Sequence, residues 1–169
     1  MDKQSILFSI LALIIATIIL FIGLSYYSKA KKIRILDDNQ LNTSYSVWLL
    51  GIILPFFIYS SVSIQLSETT IETIINTDSI NDTFFQILYR LVIYFGVAII
   101  LSIASFYLIF KIVGIIFGGR SLFVELENSS TGLFIIIIII NVFFSFSILS
   151  PIKDFLNWYL PEVMTNYIH

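Results

Sequence analysis

Residues 91–110 read Leu-Val-Ile-Tyr-Phe-Gly-Val-Ala-Ile-Ile-Leu-Ser-Ile-Ala-Ser-Phe-Tyr-Leu-Ile-Phe, an uncharged run that lies between Arg90 and Lys111. An α-helix of this length extends about 30 Å, which is the thickness of the hydrocarbon core of a bilayer. The two flanking cations can lay their aliphatic stems along such a helix and place their charges among the lipid headgroups. The run therefore predicts a helix that crosses a membrane.

The composition of the whole chain agrees with this prediction. The 169 residues are 58% hydrophobic and 12% charged, and the mean hydropathy is +0.98. A soluble domain has about 45–50% apolar and about 25% charged residues, so lipid has to cover the surplus apolar surface. The net charge of -2 argues against nucleic acid as a partner, because nucleic-acid binding requires a clustered basic face. The chain contains no cysteine, which excludes disulfides and thiolate sites.

Three further apolar stretches predict three more membrane-spanning helices. The first of them covers residues 5–24, and the lysines that follow it, in place of a small-residue cleavage site, indicate a retained helix rather than a signal peptide. The others cover residues 46–65 and residues 132–149. The sequence therefore predicts an all-α, polytopic membrane protein with four transmembrane helices.

The ends of these helices are marked by residues that start or stop helices. Side-chain oxygens at residues 42–44 and 128–131 can cap the second and fourth helices. Gly118 and Gly119 are expected to end the third helix, and Pro151 is expected to end the fourth, because proline cannot continue the hydrogen-bond ladder. Residues 120–127 are expected to form the turn between the third and fourth helices.

The chain accordingly divides into four segments. Residues 1–65 form the first transmembrane helix pair and residues 84–150 the second. Residues 66–83 are predicted to be an acidic extracytoplasmic loop, part of which can form one or two helical turns. Residues 151–169 are predicted to form an amphipathic tail on the outer surface, with Trp158 at headgroup depth. Apolar side chains at helical spacing define one face of this tail: Ile152, Phe155, Leu156, Tyr159, Leu160 and Val163.

The distribution of lysine and arginine predicts an orientation. Four cations lie at residues 29–34, between the first two helices, and Lys111 and Arg120 lie between the last two. The opposite side carries only Lys3, Arg90 and Lys153. Short loops rich in lysine and arginine stay in the cytoplasm. We therefore expect a multi-pass protein of the inner (cytoplasmic) membrane with both termini extracytoplasmic.

A shift of 86 residues aligns the first helix pair with the second. In the polar turns, this shift pairs Arg34 with Arg120, Leu36 with Leu122, Asn42 with Asn128 and Ser44 with Ser130. Each pair crosses the membrane inward and then outward, so both copies have the same orientation. The sequence thus predicts a parallel repeat about an axis near the membrane normal.

The repeated pattern, Arg-x-Leu followed by acids and then Asn before an apolar helix, occupies residues 34–46 and 120–132. It resembles the bacterial membrane family known as domain of unknown function three-fifty, which is also built from two helical pairs. The chain departs from that family at Leu54-Pro55 and Ile140-Asn141, where small residues are expected. The resemblance covers nearly the whole chain, and it implies an integral membrane protein of unknown activity with a link to envelope stress.

Polar and helix-breaking residues inside the predicted spans are the candidates for a functional site. Pro55 has no N–H and leaves the carbonyl of Gly51 without its usual donor, so it should bend the second helix. Asn141 occupies the equivalent position in the fourth helix and can donate to that carbonyl. A buried carboxamide needs a partner, so Asn141 either joins two helices or lines a pore. Ser145 and Ser147 are either packing residues or part of a weakly polar conduit.

The sequence indicates neither an enzyme nor a metal or cofactor site. Its only histidine is the terminal residue, His169, and no acid lies within a predicted span. A nucleophile with an adjacent base, or a cluster of metal ligands, cannot be assembled from these residues. The absence of charge within the spans also argues against a proton-coupled transporter or a voltage sensor.

Two functional hypotheses lead, and a small transporter is the third and least favoured. The first is a homo-oligomeric pore or membrane-signal transducing subunit, since four helices alone enclose no useful lumen. The second is a membrane anchor or sensor scaffold that docks a cytosolic protein partner in a multi-component system for envelope stress, secretion or anti-phage defence. Its candidate docking residues are the basic side chains of the cytoplasmic turns: Lys29, Lys31, Lys32, Arg34 and Arg120.

Overall fold

The computed structural model describes residues 3–33, 36–37, 40–76, 83–119, 121–128 and 130–161. Within them the chain forms the helices α1 (Lys3–Ala30), α2 (Thr43–Ile75), α3 (Thr83–Ile116), α4 (Leu122–Glu127), α5 (Thr131–Ser147) and α6 (Leu149–Asn157). Two short strands, β1 (Leu36–Asp37) and β2 (Gln40–Leu41), pair antiparallel in the turn between α1 and α2. Because these strands have two residues each, the architecture is all-α, as predicted.

Three helices are long and apolar enough to cross a membrane. They are α1, α2 and α3, of which α2 and α3 contain 33 and 34 residues. Helices α5 and α6 meet at a bend of 46°. Neither is long and apolar enough to cross a membrane by itself, but the two taken together are. The described part of the chain therefore contains three candidate spans, or four if the bent pair is one span.

Helices α2 and α3 form the antiparallel centre of the bundle. The Ser63 hydroxyl on α2 donates to the backbone carbonyl of Tyr94 on α3 at 3.0 Å, and Gly51 lies against the ring of Phe106. The outer surfaces of the helices carry many exposed large apolar side chains. Helix α1 is the most peripheral of the three. In its 18-residue apolar segment 17% is buried, against 50% in the corresponding segment of α2.

Helix α5 runs parallel to α2 along one side of it. Two contacts define this direction: Ser44 with Thr131, and Gly51 with Asn141. The contact of Gln65 with Lys153 shows that α6 continues along α2 in the same direction. The buried residues of α5 follow one narrow stripe at helical spacing, which consists of Phe134, Ile137, Asn141 and Ser145. The other faces of α5 are mostly isoleucine and phenylalanine and are exposed.

The predicted start of α2 and the predicted end of α3 are confirmed. The Asn42 side chain accepts from the backbone N–H groups of Ser44 and Tyr45 at 2.9 and 3.3 Å, so it caps α2. Gly118 and Gly119 follow α3 with φ angles of +93° and +73°. An L side chain rarely adopts such angles, and glycine ends the helix without a steric cost.

Helix α2 is longer than the sequence predicted. It continues to Ile75, ten residues beyond the predicted end at residue 65, so residues 66–75 are helical rather than a loop. The hydroxyl groups there bond within the bundle: Ser67 donates to the carbonyl of Ser63 at 2.7 Å, and Thr70 bonds to the Tyr94 hydroxyl at 3.0 Å. The polar side chains of this stretch thus take part in the packing of the helices. Residues 77–82 lie outside the described residues.

The predictions for the last two helices also need correction. Residues 122–127 form α4 rather than a simple turn. Helix α5 ends at Ser147, two residues before the predicted end of the fourth helix. Pro151 itself lies in the first turn of α6, where a proline loses no hydrogen bond. Ser130 precedes α5, but its side chain makes no capping hydrogen bond.

Candidate functional site

A buried hydrogen bond joins α5 to α2 at the level of Pro55. The side-chain Nδ2 of Asn141 donates to the backbone carbonyl of Gly51 at 3.0 Å. That carbonyl lies four residues before Pro55, which has no N–H to donate to it. Asn141 is 0% exposed. The contact predicted from the sequence is therefore present, and α2 continues as a helix through Pro55.

The backbone of α2 comes closest to its neighbours at Gly51. A Cβ atom at this position would meet ring carbons of Phe106 at 2.6 and 2.9 Å and a side-chain carbon of Ile138 at 3.2 Å. The missing side chain thus lets α3 and α5 both approach the carbonyl that Asn141 binds. Helices in membranes pack most closely where small residues lie at the interface.

The serines near this contact have different surroundings. Ser145 is buried one turn beyond Asn141, and its hydroxyl donates to the backbone carbonyl of Asn141 at 2.7 Å. Ser147 is exposed, and its hydroxyl donates to the carbonyl of Phe143 within α5. The structure thus brings Asn141, Gly51 and Ser145 together and places Ser147 on the outer surface.

Helix α3 adds two buried hydroxyl groups to the interior. Ser102 and Ser105 are 0% and 5% exposed, and both donate to carbonyls of their own helix. The polar content of the described interior at mid-helix is therefore uncharged. It includes one carboxamide, several hydroxyls and one carbonyl that lacks its usual backbone donor because of proline. Such groups can bind water or partly replace the hydration shell of an ion.

Two further residues of the interior were not predicted as site residues. Trp48 and Tyr59 are both 0% exposed, and neither the Trp48 Nε1 nor the Tyr59 hydroxyl has a hydrogen-bond partner among the described residues. The Asn141 Oδ1 shares this property. Their spacing in the sequence could have identified them. Trp48 lies three residues before Gly51 and Tyr59 lies four residues after Pro55, which places all four residues on one face of a helix.

The basic residues proposed for partner docking lie at the end of α1. Lys29, Lys31 and Lys32 are all exposed, and Lys32 has a φ angle of +52° in the turn that follows the helix. The remaining two candidates, Arg34 and Arg120, lie outside the described residues. The structure thus groups three of the five cations at one end of the bundle.

The opposite end of the bundle carries an aromatic surface. The Phe155 ring contacts the rings of both Trp158 and Tyr159, and Trp158 is 81% exposed. Arg90 at the start of α3 donates from Nε to the backbone carbonyl of Tyr159 at 2.9 Å. The predicted apolar face of the tail is thus divided: Ile152 and Leu156 pack into the bundle, while the aromatic rings remain exposed. Val163 lies outside the described residues.

No protein-family model matches the chain, and no curated protein or solved structure is detectably similar to it. The resemblance to the family of unknown function stays a prediction.

Proposed function

We propose that this chain is a non-enzymatic, four-span protein of the inner membrane with both termini outside the cytoplasm. The fourth crossing is supported by the contacts at the two ends of α5 and α6. Ser44 lies 3.5 Å from Thr131, and Lys153 lies 3.5 Å from Gln65. Ser44 and Gln65 are separated along α2 by about 31 Å, which is the thickness of the hydrocarbon core. The bent pair thus covers the same depth as the apolar part of α2.

The parallel repeat is supported by the ends of α1 and α3. Three backbone hydrogen bonds close each of these ends, and the two sets are related by the same shift of 86 residues. After α1, the backbone N–H groups of Lys31, Lys32 and Ile33 donate to the carbonyls of Tyr27, Lys29 and Ser28, respectively. After α3, the N–H groups of Phe117, Gly118 and Gly119 donate to the carbonyls of Val113, Ile115 and Gly114. Lys32 and Gly118, which this shift pairs, both have positive φ angles.

The proposed function is a homo-oligomeric pore, or a membrane-signal transducing subunit, in which α5 moves with α2. The observation that carries it is the buried hydrogen bond from Asn141 to Gly51. This bond is the polar connection between the two helices at mid-membrane, and lipid offers no other partner for either group. Several copies are required for a pore, because four helices alone enclose no lumen wide enough for an ion.

Reconstitution of the purified protein into liposomes tests this proposal. We expect ion flux from the wild type and about tenfold less from Asn141→Leu, because a lost hydrogen bond of about 1–2 kcal/mol corresponds to about tenfold in an equilibrium. Ser147→Ala is the matched control, since that hydroxyl is exposed and bonds within its own helix, and its flux should equal that of the wild type. Wild-type liposomes without flux would overturn the pore.

The second candidate is a scaffold that docks a cytosolic protein. The observation that favours it is the exposed group of Lys29, Lys31 and Lys32 at the end of α1. Replacing these lysines by glutamine should abolish retention of one specific cytosolic protein in a pull-down and leave the oligomer unchanged. Absence of flux together with that loss would favour the scaffold, whereas flux without any lysine-dependent partner would favour the pore.

A further inference from the structure

The interior of one subunit contains buried polar groups that its own side chains do not satisfy. Among the described residues, the Trp48 Nε1, the Tyr59 hydroxyl and the Asn141 Oδ1 have no hydrogen-bond partner. Each of these three residues is 0% exposed. The Nδ2 of Asn141 already donates to Gly51, so its orientation is fixed and its Oδ1 remains an acceptor. Buried polar groups in proteins nearly always have a partner, which is often a bound water molecule.

The spacing of these residues places them on one face of α2. Trp48, Gly51, Pro55 and Tyr59 follow each other at i, i+3, i+7 and i+11, which is one face of a helix. Asn141 reaches this face from α5 through the carbonyl of Gly51. From Trp48 to Tyr59 the helix rises about 16 Å. The unsatisfied groups are thus distributed along about half of the hydrocarbon thickness.

The chemistry of the three groups selects the ligand. The indole of Trp48 can only donate, the Oδ1 of Asn141 can only accept, and the hydroxyl of Tyr59 can do both. A cation is disfavoured by the indole N–H, and an anion is disfavoured because none of the three groups carries a positive charge. Water, which donates two and accepts two hydrogen bonds, fits a mixed set of this kind.

We propose that the face of α2 formed by Trp48, Gly51, Pro55 and Tyr59, together with Asn141, binds water molecules inside each subunit. This set of residues is the core hydration site. It bridges α2 and α5 at mid-membrane and gives the buried carboxamide its missing donor. The proposal does not depend on ion conduction, because water can bind within a subunit that passes no ions.

Solid-state NMR of the labelled protein in lipid bilayers tests the core hydration site directly. Magnetisation that starts on water should reach the Trp48 indole and the Asn141 carboxamide rapidly. It should reach the backbone of Leu54 and Phe57 slowly, since these residues lie at the same depth of α2 but point outward and are exposed to lipid. Equal, slow transfer to both pairs would overturn the proposal.

The variant Tyr59→Phe provides a second, independent measurement. If water binds the hydroxyl, its removal loses a hydrogen bond and lowers the thermal midpoint; if the hydroxyl is dry, its removal relieves an unpaired polar group and raises the midpoint. Tyr26→Phe, at a side chain that is 71% exposed, controls for the loss of a hydroxyl. A midpoint that is lowered only for Tyr59→Phe supports the site, and an unchanged or higher midpoint contradicts it. Ion flux of Tyr59→Phe in reconstituted liposomes reports separately on the pore.

Discussion

At the scale of the residue, Gly51 determines how closely three helices approach one another. Its carbonyl binds Asn141, and its missing side chain leaves room for the ring of Phe106. That ring is fully buried, so it cannot move aside into lipid. The sequence predicted the hydrogen bond because proline removes a known donor, and a carboxamide in hydrocarbon requires a partner. It did not predict the ring contact, which depends on how α3 packs.

Gly51→Ala is therefore expected to destabilise the protein by about 1–3 kcal/mol, because the new methyl group overlaps the Phe106 ring. Gly96→Ala is the matched control, since no atom lies within 4 Å of a Cβ at that position. Alanine is the better helix former, so this control should be neutral or more stable by about 0.5–1 kcal/mol. Thermal unfolding in detergent, followed by circular dichroism, measures both. A Gly51→Ala protein as stable as Gly96→Ala would contradict the close approach.

At the scale of the element, the ends of α1 and α3 have the same hydrogen bonds but different residues at the left-handed position. Lysine occupies it after α1, and glycine occupies it after α3. Gly118→Ala should cost about 1–2 kcal/mol, because a Cβ is unfavourable at that φ angle. Lys32→Gly should instead stabilise the protein by up to about 1 kcal/mol, since it removes the same strain. Chemical denaturation in mixed micelles compares the two, and changes of the same sign would argue against equivalent helix ends.

Elements were predictable from the sequence where local chemistry decides them. The cap at Asn42 and the glycines after α3 follow from side-chain and backbone preferences alone. The length of α2 was not predictable, because the polar stretch at residues 66–75 is stabilised by hydroxyl groups whose partners lie on other turns and on α3. The end of the fourth predicted helix near Pro151 was also predictable, but the sequence did not indicate that Pro151 would lie in the first turn of the next helix, α6.

At the scale of the whole molecule, the long helices are buried to different extents. Helices α2 and α3 are central, while α1 exposes most of its apolar surface. A row of isoleucine, leucine and phenylalanine along α1 is thus available to lipid or to a second copy. Hydropathy predicted where the long helices lie, because this property depends only on composition along the chain. It did not predict which helix is peripheral, because this depends on which helix faces pack against one another in the tertiary structure.

The central claim, that the chain crosses the bilayer four times, is tested most directly by the accessibility of single cysteines. The chain has no cysteine of its own, so each variant carries one thiol. Ser121 precedes α4, on the chain segment that leads into α5, and Asp154 lies in α6; both side chains are exposed. Lys29 and Asn76 provide references for the two faces of the membrane. A membrane-impermeant maleimide added to spheroplasts should label Asp154→Cys and Asn76→Cys, whereas Ser121→Cys and Lys29→Cys should react only after lysis. Labelling of Ser121→Cys and Asp154→Cys from the same side would contradict the fourth crossing.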